Sequence, residues 1–372
     1  MKSFIYADNA ATTQLDQLAF QAMIPWLTEE YGNASQPYSF ARAPKKALAE
    51  ARKTISDAIN ALPEEIFFTS GGTESDNWVI KETALSDSDK HPIITSVFEH
   101  HAILHACQSV ERLGHPVFYL NPDSKGVITP EELKKKIASN TRLVSVMFSN
   151  NEIGTVQPIK ELAKIAHDSG ALFHTDAVQA VGHVKIDVKD LDIDFLSASA
   201  HKFNGPKGIG FLYIRKGITI PPFNDGGAQE RGYRAGTENI AGIVGMATAL
   251  KINSDQVEEN AKYVLELEHE LLAGISGLDY IRNGSDNHIP GNMSLSFKHV
   301  DGESILHRLD LMGICISTGS ACDSVNTQVS HVIQAIGVPQ EYAQGTIRIS
   351  LSKDNTKEEV GIIAKALVKV LG

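Results

Sequence analysis

Cysteine is scarce in this chain of 372 residues. Three are present (Cys107, Cys315 and Cys322), an odd and scattered set without the C-x-x-C pairs that hold zinc. That pattern excludes a disulfide scaffold and points to a reducing compartment. No run of about 18 uninterrupted apolar residues is available to span a membrane, and the opening MKSFIYADNAATT has no apolar signal segment, so a cytoplasmic location is expected. Positive charge is in deficit as well, with 34 basic against 45 acidic residues and a net charge of −11. The main business of the protein is therefore expected to involve neither nucleic acid nor a membrane surface. Internal repeats and low-complexity tracts are missing too. What is left is the composition of an ordinary globular protein, long enough for a large domain and a smaller one.

Short β-branched or aromatic runs alternate with helix-length segments from about residue 65 to about residue 250. The strand candidates are IFFT (66–69), PIITSVF (92–98), PVFYL (116–120), RLVSVMF (142–148), ALFHT (171–175), FLSAS (195–199) and GFLYI (210–214). Between them lie helical patterns such as AILHACQSVERLG, PEELKKKIAS and IKELAKIAHDSG, the last with a glycine stop. This alternation predicts an α/β fold with a mostly parallel sheet covered by helices. After a helical run over 238–274 the pattern changes to NMSLSF, a helix at 302–313, ICIS, a helix around 328–337, TIRISL and a last helix at 356–371. These form a small α+β unit. The expected division is a large domain over 15–255 and a small one from 1–14 and 256–372.

Several segments place reactive residues at strand ends, where open α/β sheets gather ligands. FFTSGGTESDN (67–77) reads as strand, glycine turn and helix. Its amides can hold a phosphate, or the turn can be a plain capped helix start with Thr73 as the cap. HTDAVQA (174–180) puts Asp176 at a strand end, and SASAHKFNGPKGIG (197–210) does the same for Ser199, His201 and Lys202. An aspartate and a lysine so placed suit pyridoxal phosphate, the lysine forming a Schiff base and the carboxylate keeping the pyridine nitrogen protonated. An ion pair on the sheet rim is the alternative. EHHAIL (99–104) brings His100 to the same edge, either over the face of an aromatic cofactor or as a helix cap. SNNEIGTVQP (149–158) supplies Asn151, to a ring substituent or to a turn. Arg348, in the alternating strand TIRISLS, needs a partner, which can be a substrate carboxylate or a buried salt bridge. GGAQERGYRAGTEN (226–239), with Thr237 before a helix, suits a subunit contact or a second anion loop.

ISTGSACDS (316–324) sets Cys322 among small polar residues, the composition of an exposed, flexible loop. A thiol there can be incidental or reactive, depending on its surroundings.

Taken in order, YADNAATT (6–13), SGGTESDN, EHHAIL, NNEIGTVQP, HTDAVQA, SAHKFNGPKGIG, RAGTEN and STGSAC resemble the cysteine desulfurases of the NifS and IscS type, in class V of the fold-type-I pyridoxal phosphate enzymes. The resemblance runs nearly the whole chain. It implies Lys202 as the Schiff-base lysine, Asp176 on the pyridine nitrogen, Gln179 on the ring hydroxyl and His100 stacked on the ring as acid or base. Thr73, Ser199 and His201 would hold the phosphate, with Thr237 reaching the phosphate of the other subunit of a homodimer. Asn151 and Arg348 would take the carboxylate of L-cysteine, and Cys322 would be the nucleophile that keeps the sulfur as a persulfide. It would then pass that sulfur to an acceptor or iron–sulfur scaffold protein, the long loop after Cys322 matching the group that feeds iron–sulfur assembly and transfer-RNA thiolation. A selenocysteine lyase or another class V enzyme is the alternative. The chain departs from the family in GNASQPY (32–38), which leaves a substrate contact from Asn33 open, and in Ala200, where relatives carry glycine. No metal site is expected. Cys315 is expected in the core.

Overall fold

The computed structural model describes residues 4–318 and 329–372; Cys322 lies outside the described residues. The strands are β1 (Ile5–Tyr6), β2 (Ile66–Thr69), β3 (Ile93–Ser96), β4 (Val117–Leu120), β5 (Leu143–Ser145), β6 (Leu172–Asp176), β7 (Phe195–Ser199), β8 (Gly210–Ile214), β9 (Tyr280–Asn283), β10 (Asn292–Phe297), β11 (Ile314–Cys315) and β12 (Thr346–Ser350). The longer helices are α1 (Gln17–Thr28), α2 (Arg42–Ala58), α3 (Gly72–Leu85), α4 (His101–Arg112), α5 (Pro130–Lys136), α6 (Ile159–Asp168), α7 (Ile240–Asp255), α8 (Val257–Gly274), α9 (Gly302–Leu311), α10 (His331–Ala335), α11 (Gln340–Ala343) and α12 (Lys357–Leu371).

Each of the seven strand segments expected between residues 66 and 214 is a strand, and together they form one sheet in the order β2-β8-β7-β6-β5-β3-β4. The pairings among β3, β4, β5, β6 and β7 are parallel, whereas β8 runs antiparallel to both its neighbours. The interior strand β7 is buried at all five residues, which fits a strand covered on both faces. Helix α6 shows how sequence period becomes packing. Ile159, Leu162, Ala163 and Ala166 recur at helical spacing and are its buried residues, and Gly170 follows at φ 81°.

A three-stranded antiparallel sheet, β12-β10-β9, and the parallel pair β1-β11 make up the smaller unit. Its core joins Leu295, Ile305, Ile314, Ile316, Ile347, Ile349 and Leu367, with Ala7 from the N-terminal segment. Helix α12 enters that core through a capping box in which Thr356 and Glu359 satisfy each other's backbone amides. Helix α10 is different: its Val332 and Ile333 pack into the core of the large sheet, with Phe98 and Val146.

The N-terminal segment threads between these units. Ala7 donates to the Cys315 carbonyl at 2.9 Å and accepts from Ser350 at 2.8 Å, and Thr13 donates to the His201 carbonyl at 2.8 Å. The described residues contain no helix long and apolar enough to cross a membrane.

Candidate active site

The C-terminal ends of β3, β5, β6 and β7 and the start of α3 surround one cavity of about 390 Å³. Thr73, His100, Asn151, Asp176, Gln179, Ser199, His201, Lys202 and Arg348 all line it, together with Asp76 and Met147. Nine of the residues singled out in the sequence thus share one space, although they come from segments up to 275 positions apart along the chain (Thr73 to Arg348).

Asp176 ends β6 and is 5% exposed. Burial pushes its carboxyl up to about 6, against the pull of the Val178 amide, 2.9 Å away, and of the Lys202 charge. A second acid, Asp76, faces the same cavity from α3. Burial and the neighbouring Asp176 raise it well above the ordinary aspartate range. The sequence reading assigned Asp76 no role, yet its spacing gave a signal, because Thr73 and Asp76 are three apart and share one helix face.

Lys202 follows β7, and its Nζ donates to the carbonyls of Ala10 and Ala11 at 2.6 and 2.8 Å. Gln179 Nε2 donates to the same Ala10 carbonyl at 3.0 Å. These acceptors are backbone atoms of the YADNAATT segment, invisible to a search for reactive side chains.

His100 is the N-cap of α4, its Nδ1 accepting from the Ala102 amide at 3.1 Å. Burial, with Lys202 and three neighbouring histidines, lowers its pKa to about 4. The ring is therefore neutral at neutral pH, and with Nδ1 occupied as an acceptor its proton sits on Nε2. The helix cap, one of the two roles the sequence offered, is thus present, and the same ring lines the cavity.

Another end of the site forms where α3 meets β7. The helix begins at Gly72, two residues earlier than a Thr73 cap requires, and Gly71 at φ 151° takes the cap position. A Cβ on Gly72 would lie 2.4 Å from Val178 Cγ2, so only glycine lets the helix start come this close. An adjoining cavity of about 340 Å³ is lined by Gly71, Gly72, Thr73, Ser199 and His201. His201 Nδ1 is 3.1 Å from Thr12 Oγ1, and burial with two nearby lysines lowers its pKa to about 4.

Arg348, 4% exposed, places Nη2 2.8 Å from Asp8 Oδ1 and donates from Nη1 to the Asn151 carbonyl at 3.0 Å. Its Nε is buried with no partner among the described residues. Asn33 and Thr237 do not line the cavity. Asn33 accepts from the Ser35 amide within its own turn. Thr237 is exposed, on a segment anchored to the first turn of α3 by Arg234 and Glu74 at 2.8 Å.

Cys107 is buried in α4, and burial pushes its thiol far above the usual range. Cys315 is only partly buried, unlike the core position expected of it, because β11 pairs only with the two-residue β1.

The family model described as aminotransferase class-V matches residues 5–363. The chain belongs to that family. A cysteine desulfurase IscS of Methanosarcina thermophila is 46% identical over 370 residues, 99% of this chain and 92% of that protein. The fold matches the solved structure of a NifS-like protein with a TM-score of 0.94 and 38% identity, covering 99% of each chain. A structure of SspA in complex with cysteine matches with a TM-score of 0.85 at 35% identity, covering 95% of this chain and 100% of that one. Within the class-V family the chain falls among the cysteine desulfurases.

Proposed function

We propose that this chain converts L-cysteine to L-alanine with pyridoxal phosphate and keeps the released sulfur as a persulfide on Cys322. The observation that carries the reading is the single cavity in which the Lys202 amine, the buried Asp176 carboxyl and the neutral His100 ring converge. A buried carboxylate facing open space calls for a cationic partner, which a protonated pyridine nitrogen supplies. The glycine-tightened start of α3, with Thr73, Ser199 and His201, suits a phosphate. These residues fit the cofactor that enzymes of this family use, and the chemistry it supplies when bound is an electron sink conjugated to the substrate's α-carbon.

The chain's own groups divide the remaining work. The unpartnered Nε of Arg348, with Asn151 beside it, receives the substrate carboxylate. Lys202 Nζ takes and returns the α-proton, and His100 presents the proton on Nε2 to the same space. The Cys322 thiolate forms a bond to the substrate sulfur as the carbon–sulfur bond breaks. The electron pair stays with carbon, which is protonated to alanine. In net terms Cys322–SH and cysteine give Cys322–S–SH and alanine, so no external oxidant is needed. The persulfide then passes to an acceptor or an iron–sulfur scaffold protein in the cytoplasm.

The working form is a homodimer. Leu18, Phe20, Ile24 and Leu27 on α1 and Tyr31, Tyr38 and Phe40 beyond it are each at least 40% exposed. An apolar face of that extent is suited to a second copy. Thr237 then reaches the partner's phosphate site.

Purified protein tests the cofactor assignment without an activity assay. The wild type should bind pyridoxal phosphate with visible absorbance, and Lys202→Ala should lose the covalent component of that spectrum. A wild type that cannot be loaded with the cofactor would overturn the reading.

A further inference from the structure

The described chain stops at Thr318 and resumes at Val329, so the residues on either side fix the two ends of the segment that contains Cys322. Upstream, Ser317 and Arg348 exchange backbone hydrogen bonds of 3.1 and 2.7 Å, and Ile316 packs in the smaller core. Downstream, Val332 and Ile333 pack in the core of the large sheet. The segment thus connects two cores, and its downstream end is tied by two polar contacts. Ser330 Oγ donates to Glu152 Oε2 at 2.6 Å, and His331 Nε2 meets the Glu99 carbonyl at 3.0 Å.

Glu152 is an unexpected residue for this duty. It is 4% exposed, and burial pushes its carboxyl up to about 7, partly offset by Ser330 and Arg348. Burying a carboxyl is costly, and Ser330 already caps α10 by accepting from the Val332 amide at 3.1 Å. The helix therefore does not require the glutamate. What the glutamate does supply is a link to the substrate end of the site. It directly follows Asn151, whose carbonyl holds Arg348, and its own amide donates to Asn150 Oδ1 at 2.8 Å.

We infer that Glu152 is a positioning residue for sulfur transfer, fixing through Ser330 the downstream end of the Cys322 segment relative to Asn151 and Arg348. The inference rests on the reading that Cys322 receives the sulfur. Its consequence is that a buried carboxyl outside the cavity lining sets where the chain re-enters the fold at Ser330 relative to Asn151 and Arg348.

Three variants of the loaded enzyme test this: Glu152→Ala, Glu152→Gln, which keeps an oxygen for Ser330, and Ser330→Ala, which removes the bond without emptying a buried site. Alanine formation in the presence of a thiol reductant should show kcat lowered about 10-fold in Glu152→Ala and Ser330→Ala, with KM and cofactor absorbance within about twofold of wild type, and most of the loss recovered in Glu152→Gln. In the cofactor-free protein, the alkylation rate of Cys322 by iodoacetamide should shift about threefold or more in the same two variants and return toward wild type in Glu152→Gln. Unchanged kcat and alkylation rates would overturn the inference, as would a kcat that falls together with KM and cofactor binding. Full desulfuration in Cys322→Ser would instead sink the sulfur reading, and the alkylation rates would then decide the role of Glu152 alone.

Discussion

Asp8 and Arg348, 340 positions apart in sequence, form an ion pair at 2.8 Å on the wall of the active-site cavity. The pair fixes the guanidinium from one corner while the Asn151 carbonyl holds another, and the buried Nε has no partner among the described residues. The salt bridge that the sequence offered is present, and it leaves room for the proposed carboxylate contact within the same arginine.

Removing Arg348 should therefore weaken substrate capture more than chemistry. Arg348→Ala is expected to raise KM for cysteine about 10- to 100-fold, the range of lost charge-assisted hydrogen bonds, with cofactor absorbance retained. Asp8→Ala leaves the arginine buried and unpaired and should cost about 3 kcal/mol of stability, read by denaturant unfolding. Wild-type KM in Arg348→Ala would count against the carboxylate role.

The buried acids predict a pH dependence of stability. Glu99 is pushed up to about 8 by burial, although Ser96 and the Met147 amide oppose the shift, and Glu152 up to about 7. A carboxyl raised in the folded state stays protonated there while it has already ionised in the unfolded chain, so its contribution is lost as pH rises through the folded value. His167 and His288, raised by Asp194 and Glu268 against burial, act in the same direction above pH 6.5. The lowered histidines His100, His174 and His201 act oppositely, but only as pH falls below 6.5. The melting temperature of the chain without cofactor should fall between pH 6.5 and 8, and Glu99→Gln should flatten that slope.

The tight start of α3 yields a third prediction. Gly72→Ala brings a methyl group against Val178 and should cost about 1–3 kcal/mol through overpacking. The loss should be visible as weaker retention of the cofactor on dialysis, because the displaced amides are those proposed for the phosphate. Unchanged retention would place the phosphate elsewhere.

Cysteine reactivity should divide along burial. Cys107→Ser places a hydroxyl in a fully buried site and should destabilise the protein by about 1–3 kcal/mol while sulfur transfer continues. Cys322→Ser should abolish sulfide release and leave the melting temperature near wild type.

Much of this molecule was legible in its residues, for identifiable reasons. IFFT and GFLYI became strands over the same residues, since short apolar runs bounded by turn signals have few other outcomes in an α/β chain. Asp176, His100 and Lys202 were found because reactive side chains at strand ends converge on one sheet edge. Strand β1 was not visible: two residues carry no period, and its pairing with β11 is set by contacts more than 300 positions away. The Ala10 and Ala11 carbonyls that hold Lys202 have no side-chain signature. Helix α10 reads as part of the small unit by order along the chain, yet Val332 and Ile333 find their apolar partners under the large sheet. Glu152 sat within a quoted motif, and only the fold brings Ser330 to it.

The central claim is that Cys322 takes sulfur directly from cysteine bound over Lys202. The most direct measurement is to mix loaded enzyme with L-cysteine in the absence of reductant, quantify alanine, and map added sulfur by peptide mass spectrometry. One extra sulfur atom on the Cys322 peptide, formed in step with one alanine per subunit and absent from Cys322→Ser, is the predicted result. Alanine released with free sulfide, no sulfur on Cys322 and undiminished turnover in Cys322→Ser would contradict the account and point to lyase chemistry.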